Sequence, residues 1–153
     1  MKKMSDEFSD KILEAFSIDE KVDHKMLWFS MFESIEEFAK AIFNKEWFLG
    51  YSENKFYTSD NPVVLQNTAN KSTIRGTLGL DSYGIEIYLP LTSSLILCLF
   101  CEKMMEQFNG KFSIEKFQDQ SVLNVNALQY FQSERFIFSN KNNFEMIEKE
   151  IDI

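Results

Sequence analysis

The sequence has few of the residues from which disulfide frameworks, metal sites and nucleophilic active sites are built. Its 153 residues include one histidine, His24, and two cysteines, Cys98 and Cys101. Two cysteines are too few for a disulfide framework and are typical of a reducing compartment. Residues three apart in a strand point to opposite faces, so we predict two buried, unreactive thiols and no zinc site.

Long apolar runs are also missing. The longest run spans residues 95–101, whereas a membrane-spanning helix needs about 20 residues. Residues 1–7 turn acidic at once, with no apolar segment of the kind that a signal peptide contains. The sequence therefore predicts a cytoplasmic protein that neither crosses nor binds a membrane.

Positive charge is scarce relative to negative charge. Lys and Arg number 16 against 24 Asp and Glu, which gives a net charge of −8. Such a charge repels the phosphates of nucleic acids over about a Debye length, so we do not expect direct nucleic-acid binding. It attracts basic protein surfaces, and these are the partners that the composition favours.

Apolar periodicity predicts helices over residues 5–16, 25–44, 121–134 and 143–151. Between these helices, other segments are rich in aromatic residues and have an apolar period of two, which is typical of strands. We predict a hairpin of strands 46–51 and 55–58 joined by 52–54, an alternating strand over 84–91, a central strand over 95–101 and a short last strand over 135–138. The sequence as a whole predicts a single α+β domain over 1–153. Its N-terminal helices pack on a mostly antiparallel sheet of four or five strands, and a helix from about residue 121 crosses the sheet.

A long segment between the predicted strands, residues 66–84, has little apolar periodicity. Loops of this length are uncommon in compact domains and often bind ligands, although insertions of this kind are also tolerated without a function. The candidate ligand-binding residues are Lys71, Arg75, Gly76 and Gly79. Both interpretations stay open, and no cofactor is predicted.

Three blocks of sequence resemble one known family. They are FYTSDNPVVL at 56–65, EIYLPLT at 86–92, and NALQ at 126–129 followed by RFIFS at 135–139. Their order and spacing resemble the C-terminal half of the family of unknown function DUF4238, over about residues 26–140. Longer members of that family look as though they open with a histidine-containing block, which this sequence does not show. The resemblance implies a fold shared with bacterial and phage proteins, and it supplies no catalytic residues.

Asp60 is the most conspicuous candidate for chemistry. Ser, Asp and Asn before a proline commonly accept hydrogen bonds from backbone N–H groups one or two residues further on, so we predict that Asp60 holds its own turn. In the alternative, Asp60 and Glu86 on neighbouring strand ends bind Mg²⁺ in a metal-dependent hydrolase or nuclease. Such nucleases commonly follow the second acid with x-Lys, whereas Ile87-Tyr88 follow Glu86. The favoured interpretation has no catalytic residue and no metal.

Aromatic residues are unusually frequent, at 15% of the chain. Aromatic side chains that do not fit into the core of a small domain must be covered by another surface. Aromatic residues are also enriched at protein interfaces. Residues 26–32 are apolar nearly all round the predicted helix, so Trp28, Phe29 and Phe32 are the candidate partner-binding residues. We expect a non-enzymatic interaction protein that binds a protein partner or itself, as an inhibitor or regulator in a bacterial or phage conflict system. A small-molecule binder closed by the glycine-containing loop is a third hypothesis.

Overall fold

The computed structural model of the protein describes residues 24–69, 77–105, 114–141 and 144. The chain divides into two compact units, Met1–Ala39 and Lys40–Ile153. The elements are α1 (His24–Phe43), β1 (Lys45–Tyr51), β2 (Thr58–Ser59), β3 (Val64–Asn67), β4 (Ile85–Thr92), β5 (Leu95–Cys101), α2 (Glu102–Met105), β6 (Ile114–Lys116), α3 (Asp119–Gln132) and β7 (Ile137–Phe138). The helices predicted at 5–16 and 143–151 lie outside the described residues, with the exception of Phe144.

Two sheets are formed by the described strands. The larger has five strands in the order β3-β4-β5-β1-β6, and every pair is antiparallel except β1 with β6. The smaller is the antiparallel pair of β2 and β7. The predicted α+β class with a mostly antiparallel sheet is therefore confirmed.

The middle of the larger sheet follows from the sequence pattern. Alternation in β4 sends Ile85 and Ile87 to one face of the sheet and Tyr88 to the other, where they join two separate apolar clusters. The strand β5 is apolar on both faces and lies third of five, as predicted for a central strand. Its two cysteines lie on opposite faces as predicted, because Cys98 belongs to one cluster and Cys101 packs against the other. The prediction that both are buried holds for Cys98 only, since Cys101 is partly exposed.

The two faces of this sheet are covered differently. The end of α1 covers one face, where Ile42 packs against the cluster that contains Ile85 and Leu99. The other face is covered by α3, which buries Val122 and Val125 against the cluster that contains Tyr88. The helix predicted from residue 121 thus forms and packs on the sheet. Only part of its buried surface is apolar, because Asn126 and Gln129 are also fully buried.

The predicted hairpin of 46–51 and 55–58 is wrong. The strand β1 pairs along its whole length with β5, and its end pairs on the other side with β6. Both edges near Tyr51 are therefore occupied, and no ladder position remains for residues 55–58. The chain crosses instead to the β4–β5 turn, where Phe56 N donates to Ser93 O at 2.9 Å. Of the predicted second strand, only Thr58 lies in a strand, and it pairs with β7.

The segment predicted as a loop begins later than expected. Gln66 and Asn67 still belong to β3, which pairs with β4 at the edge of the sheet. The strand β6 was not predicted at all. Its three residues are exposed, so no alternation of buried and exposed positions marks them.

Candidate functional site

Asn126 of α3 lies beside the chain segment that precedes β2. Its Oδ1 accepts the N–H of Tyr57 at 2.8 Å, and its Nδ2 donates to the carbonyl of Lys55 at 3.0 Å. Asn126 is fully buried, so these contacts replace the water that the two backbone groups would otherwise bind. The side chain therefore holds the backbone on either side of Phe56 in an extended conformation.

Gln129 and Gln132 continue this arrangement along α3. The Nε2 of Gln129 donates to the carbonyl of Pro62 at 2.8 Å, and that of Gln132 to the carbonyl of Leu65 at 2.7 Å. We call these two residues and Asn126 the amide row of α3. Their spacing of three residues places them on one side of the helix, where they contact the opposite segment, residues 55–65, on both sides of its bend at residues 60 and 61. The sequence blocks FYTSDNPVVL and NALQ thus meet in one hydrogen-bonded contact.

Asp60 contacts the chain that follows α3. Its Oδ1 accepts the N–H of Glu134 at 3.0 Å, and its Oδ2 accepts those of Arg135 at 2.8 Å and Phe136 at 3.2 Å. Its own N–H donates to the carbonyl of Phe136 at 3.1 Å. Loss of hydration alone would raise the pKa of Asp60, but the backbone donors outweigh it and lower the pKa below its ordinary value of 3.8.

The predicted turn exists, but Ser59 is the residue that holds it. The Oγ of Ser59 accepts the N–H of Asn61 at 3.3 Å and lies 2.9 Å from the carbonyl of Asn61. The prediction that Asp60 accepts hydrogen bonds from the residues one or two positions after it is therefore wrong. Asp60 holds residues 134–136, which are 74 to 76 positions further along the chain. Such a distant acceptor leaves no local signal in the sequence.

Glu86 is buried in β4 and accepts three side-chain hydrogen bonds. Gln66 Nε2 donates to its Oε2 at 2.6 Å, the hydroxyl of Tyr88 donates to the same oxygen at 2.7 Å, and Thr68 Oγ1 donates to Oε1. Gln66 in turn accepts a hydrogen bond from Asn124 Nδ2 at 3.1 Å. We call Gln66, Thr68, Glu86, Tyr88 and Asn124 the Glu86 network.

Burial and the nearby Glu86 carboxylate disfavour ionisation of Tyr88 and Cys98. Burial, then the charge of Glu86, raise the pKa of the Tyr88 hydroxyl well above its ordinary range. Burial, with a smaller contribution from Glu86, raises the pKa of the Cys98 thiol to about 12. Both groups are neutral at physiological pH, so neither is a nucleophile there.

A cavity of about 390 Å³ borders the Glu86 network. It is lined by the rings of Phe48, Phe100 and Phe117 and by polar side chains that include Gln66, Gln120 and Asn124. Pockets that hold small molecules commonly have volumes of 300 to 1,000 Å³ and combine aromatic walls with a few polar groups. The volume and lining of this cavity are therefore of the kind that small-molecule sites have.

The two acids of the predicted metal pair are not on neighbouring strands. Asp60 follows β2 of the two-stranded sheet, whereas Glu86 lies in β4 of the five-stranded sheet. They share no hydrogen-bonding partner among the described residues, and no group of three or more His, Cys, Asp or Glu side chains suited to a metal ion occurs in that part of the chain. The hydrolase hypothesis with Asp60 and Glu86 stays a prediction.

The predicted partner-binding residues lie on α1. Phe29 is 69% exposed and Phe32 is 60% exposed, while the side chain of Trp28 is outside what the structure describes. Of the loop candidates, Gly79 is exposed, whereas Lys71, Arg75 and Gly76 lie outside the described residues. These roles stay predictions.

Sequence analysis did not find the amide row or most of the Glu86 network. The available signal was amides at a three-residue spacing in a helix whose other buried residues are Val122 and Val125. Carboxamides on a helix usually mark its solvated face, so burial of Asn126 and Gln129 could not be read from the pattern.

The fold and these contacts define a small α+β protein in which the blocks FYTSDNPVVL and NALQ meet between α3 and the segment at 55–65, while EIYLPLT lies in β4. The sequence profile described as "Protein of unknown function (DUF4238)" matches residues 1–143. The chain belongs to this family, and the match extends well beyond the expected residues 26–140. No match was found among curated proteins or among solved structures. Within the described residues, no helix has the length and hydropathy needed to cross a bilayer.

Proposed function

We propose that the protein is a non-enzymatic interaction protein that binds a protein partner through α1. The observation that carries the proposal is the exposure of Phe29, Phe32 and Ile35, which are 69%, 60% and 52% exposed. We call these three residues the aromatic surface of α1. Large apolar side chains that are contiguous and exposed are typical of protein-binding surfaces.

The aromatic surface of α1 is continuous because its members are three residues apart. Side chains at that spacing are neighbours on a helix, so the two rings and Ile35 adjoin one another. Glu36 and Glu37 follow directly and are exposed. An apolar groove with basic residues at its border complements this arrangement, in the way that amphipathic helices bind in grooves.

The net charge of −8 supports a basic partner surface. We propose that the protein acts in the cytoplasm as an inhibitor or regulator, in a bacterial or phage conflict system, by occupying such a surface on its partner. The Asp60 carboxylate, whose two oxygens accept backbone hydrogen bonds, then serves the fold and not catalysis.

Paired substitutions of matched exposed residues test this proposal. We would tag the full chain, express it in its source cells and compare the proteins that co-purify with wild type, with Phe29→Ser/Phe32→Ser and with Phe131→Ser. Phe131 is a fitting control because it is 70% exposed on α3. Phe and Ser have similar helix propensities, so both variants should keep their helices, which circular dichroism checks.

The proposal expects one partner that the wild type and Phe131→Ser retain and the double variant loses. Binding that is then reconstituted with the purified partner should weaken as salt increases, because opposite charges attract across the interface. Equal recovery with all three proteins would contradict the role of α1. Self-association is the other outcome, and light scattering would show it as a multiple of the 18.0 kDa chain mass that only the double variant loses.

A further inference from the structure

The cavity beside the Glu86 network has an uncharged lining. Its walls come from β1, β3, β4, β5, the connection between β6 and α3, and the first half of α3, all within the second unit. Phe48, Phe100 and Phe117 provide the apolar part of the lining, and the remaining lining consists of side chains with amides and hydroxyls. Among the described residues, no charged side chain lines the cavity, so it suits a neutral ligand better than a phosphate or an ammonium group.

The Glu86 network fixes which way the amide of Gln66 points. A carboxylate can only accept hydrogen bonds, so the Gln66 atom that lies 2.6 Å from Glu86 Oε2 must be the NH₂ group. The Oε1 of Gln66 is thereby directed toward Asn124, whose Nδ2 donates to it at 3.1 Å. Gln66 thus offers a preoriented acceptor with one lone pair that this contact leaves unused.

Two further amides lie on the helical wall of the cavity. Gln120 and Asn124 are four residues apart in α3 and are therefore neighbours on its surface. The amide of Gln120 makes no hydrogen bond to the described part of the chain, and Asn124 retains its Oδ1 and one N–H. Each can present a donor and an acceptor side by side, as a carboxamide does.

We propose that this cavity binds a small, uncharged heteroaromatic ring with an amide edge, as in a nucleobase or a nucleoside without phosphate. The phenylalanine rings would stack on the ring of the ligand, and the amides of Gln120 and Asn124 would pair with its donor–acceptor edge. The hydrogen bond to Glu86 positions Gln66, and Glu86 itself does not line the cavity. The lining of the cavity shares no residue with the aromatic surface of α1, so the inference stands independently of the proposed partner binding.

Titration of the full chain with four nucleosides tests the inference. Adenosine, guanosine, cytidine and uridine would each be added to the wild-type protein in a calorimeter, with amide chemical shifts followed in parallel. Asn124→Leu removes an exposed cavity amide and should weaken binding about tenfold, the effect of one lost hydrogen bond to a ligand. Asn140→Leu makes the same change at an exposed asparagine outside this cavity and should leave the affinity unchanged. Gln120→Leu is the second cavity variant if Asn124→Leu does not fold.

The inference requires saturable binding of at least one nucleoside that a cavity variant weakens and Asn140→Leu does not. Absence of binding for all four nucleosides would overturn it, and so would binding that neither Asn124→Leu nor Gln120→Leu alters. The corresponding 5′-monophosphate should bind no more tightly than the nucleoside. Binding of the monophosphate alone would show that the cavity recognises phosphate and would overturn the claim of a neutral ligand.

Discussion

The side-chain amide of Gln132 pairs with both backbone polar groups of Leu65. Its Nε2 lies 2.7 Å from the Leu65 carbonyl oxygen, and its Oε1 lies 3.1 Å from the Leu65 nitrogen. Leu65 belongs to β3, which is an edge strand of the five-stranded sheet. The amide thus takes the position that a further strand would occupy, and α3 blocks part of an edge on which another chain could pair.

Replacing Gln132 should therefore weaken the fold. We expect Gln132→Leu to lower the free energy of unfolding by about 1 to 2 kcal/mol, because two backbone hydrogen bonds are lost and the groups are partly accessible to water. Urea denaturation measures the effect. Gln118→Leu is the control, since Gln118 is exposed and makes no capping hydrogen bond, and it should change stability by less than about 0.5 kcal/mol. Equal effects of the two substitutions would contradict the assigned role.

Replacing Asn126 should lower the free energy of unfolding more than replacing Gln132, because Asn126 is fully buried. In Asn126→Ala the Tyr57 N–H and the Lys55 carbonyl lose their partner, and we expect a loss of about 3 kcal/mol. Asn124→Ala, at an exposed position on the same helix, should lower the unfolding free energy by less than about 1 kcal/mol. Chemical denaturation of both variants under the same conditions distinguishes them. Similar values for the two would show that the buried amide does not support the backbone.

Asp60 should titrate below its ordinary pKa of 3.8 in the folded protein. Since the folded-state pKa is lowered, its contribution to stability is present above the unfolded-state pKa and is lost as the pH falls through the folded-state pKa. A carboxyl-detected NMR titration measures the midpoint directly. Asp60→Asn should be less stable than wild type at neutral pH, and the difference should shrink in acid. A midpoint above 3.8 would refute the assignment.

Cys98 should be inert in the native protein. Burial raises its pKa to about 12, so almost no thiolate exists at pH 8. In the Cys101→Ser variant, a thiol reagent at pH 8 should react with Cys98 only as fast as the protein unfolds. The same variant in concentrated urea provides the fully reactive reference. Comparable rates in the two conditions would mean that Cys98 is accessible in the fold.

A measurement of Mg²⁺ and Mn²⁺ binding distinguishes the proposed interaction protein from the hydrolase alternative. The proposed function expects that Mg²⁺ or Mn²⁺ produces no saturable heat with the full chain, and that Asp60→Ala loses stability to the same extent with and without the ions. The alternative expects metal binding that Asp60→Ala abolishes while the fold is intact. Calorimetry and thermal unfolding on the same samples provide both readings.

Local patterns predicted the middle of the larger sheet well. The alternation of β4 and the run of apolar residues in β5 reflect burial on one or both faces, so the pattern and its cause lie in the same residues. Apolar periodicity also predicted α1 and α3, but burial does not follow that pattern in either helix. Phe29 and Phe32 of α1 are exposed, and Asn126 of α3 is buried. The prediction of a hairpin between 46–51 and 55–58 was wrong because β5 and β6 occupy both edges of β1. Both strands are distant from β1 in sequence, so no local pattern shows this.

The polar contacts were less accessible to sequence reasoning. Asp60 and its backbone donors at 134–136 meet only through tertiary structure, and a polar residue before a proline looks like a turn residue whether or not it has a distant partner. Glu86 was found as a candidate acid. Its partners Gln66 and Thr68 were assigned to a loop, because no strand was predicted between residues 58 and 84 and β3 was missed.

The most direct test of the central claim is photo-crosslinking from α1 in source cells. A photoreactive phenylalanine analogue would replace Phe29 in one protein and Phe131 in another, since both positions are exposed and lie on different helices. The proposed function predicts one discrete adduct with a protein partner from position 29 and none from position 131. The same adducts from both positions, or no adduct from position 29 in a folded and expressed protein, would contradict it.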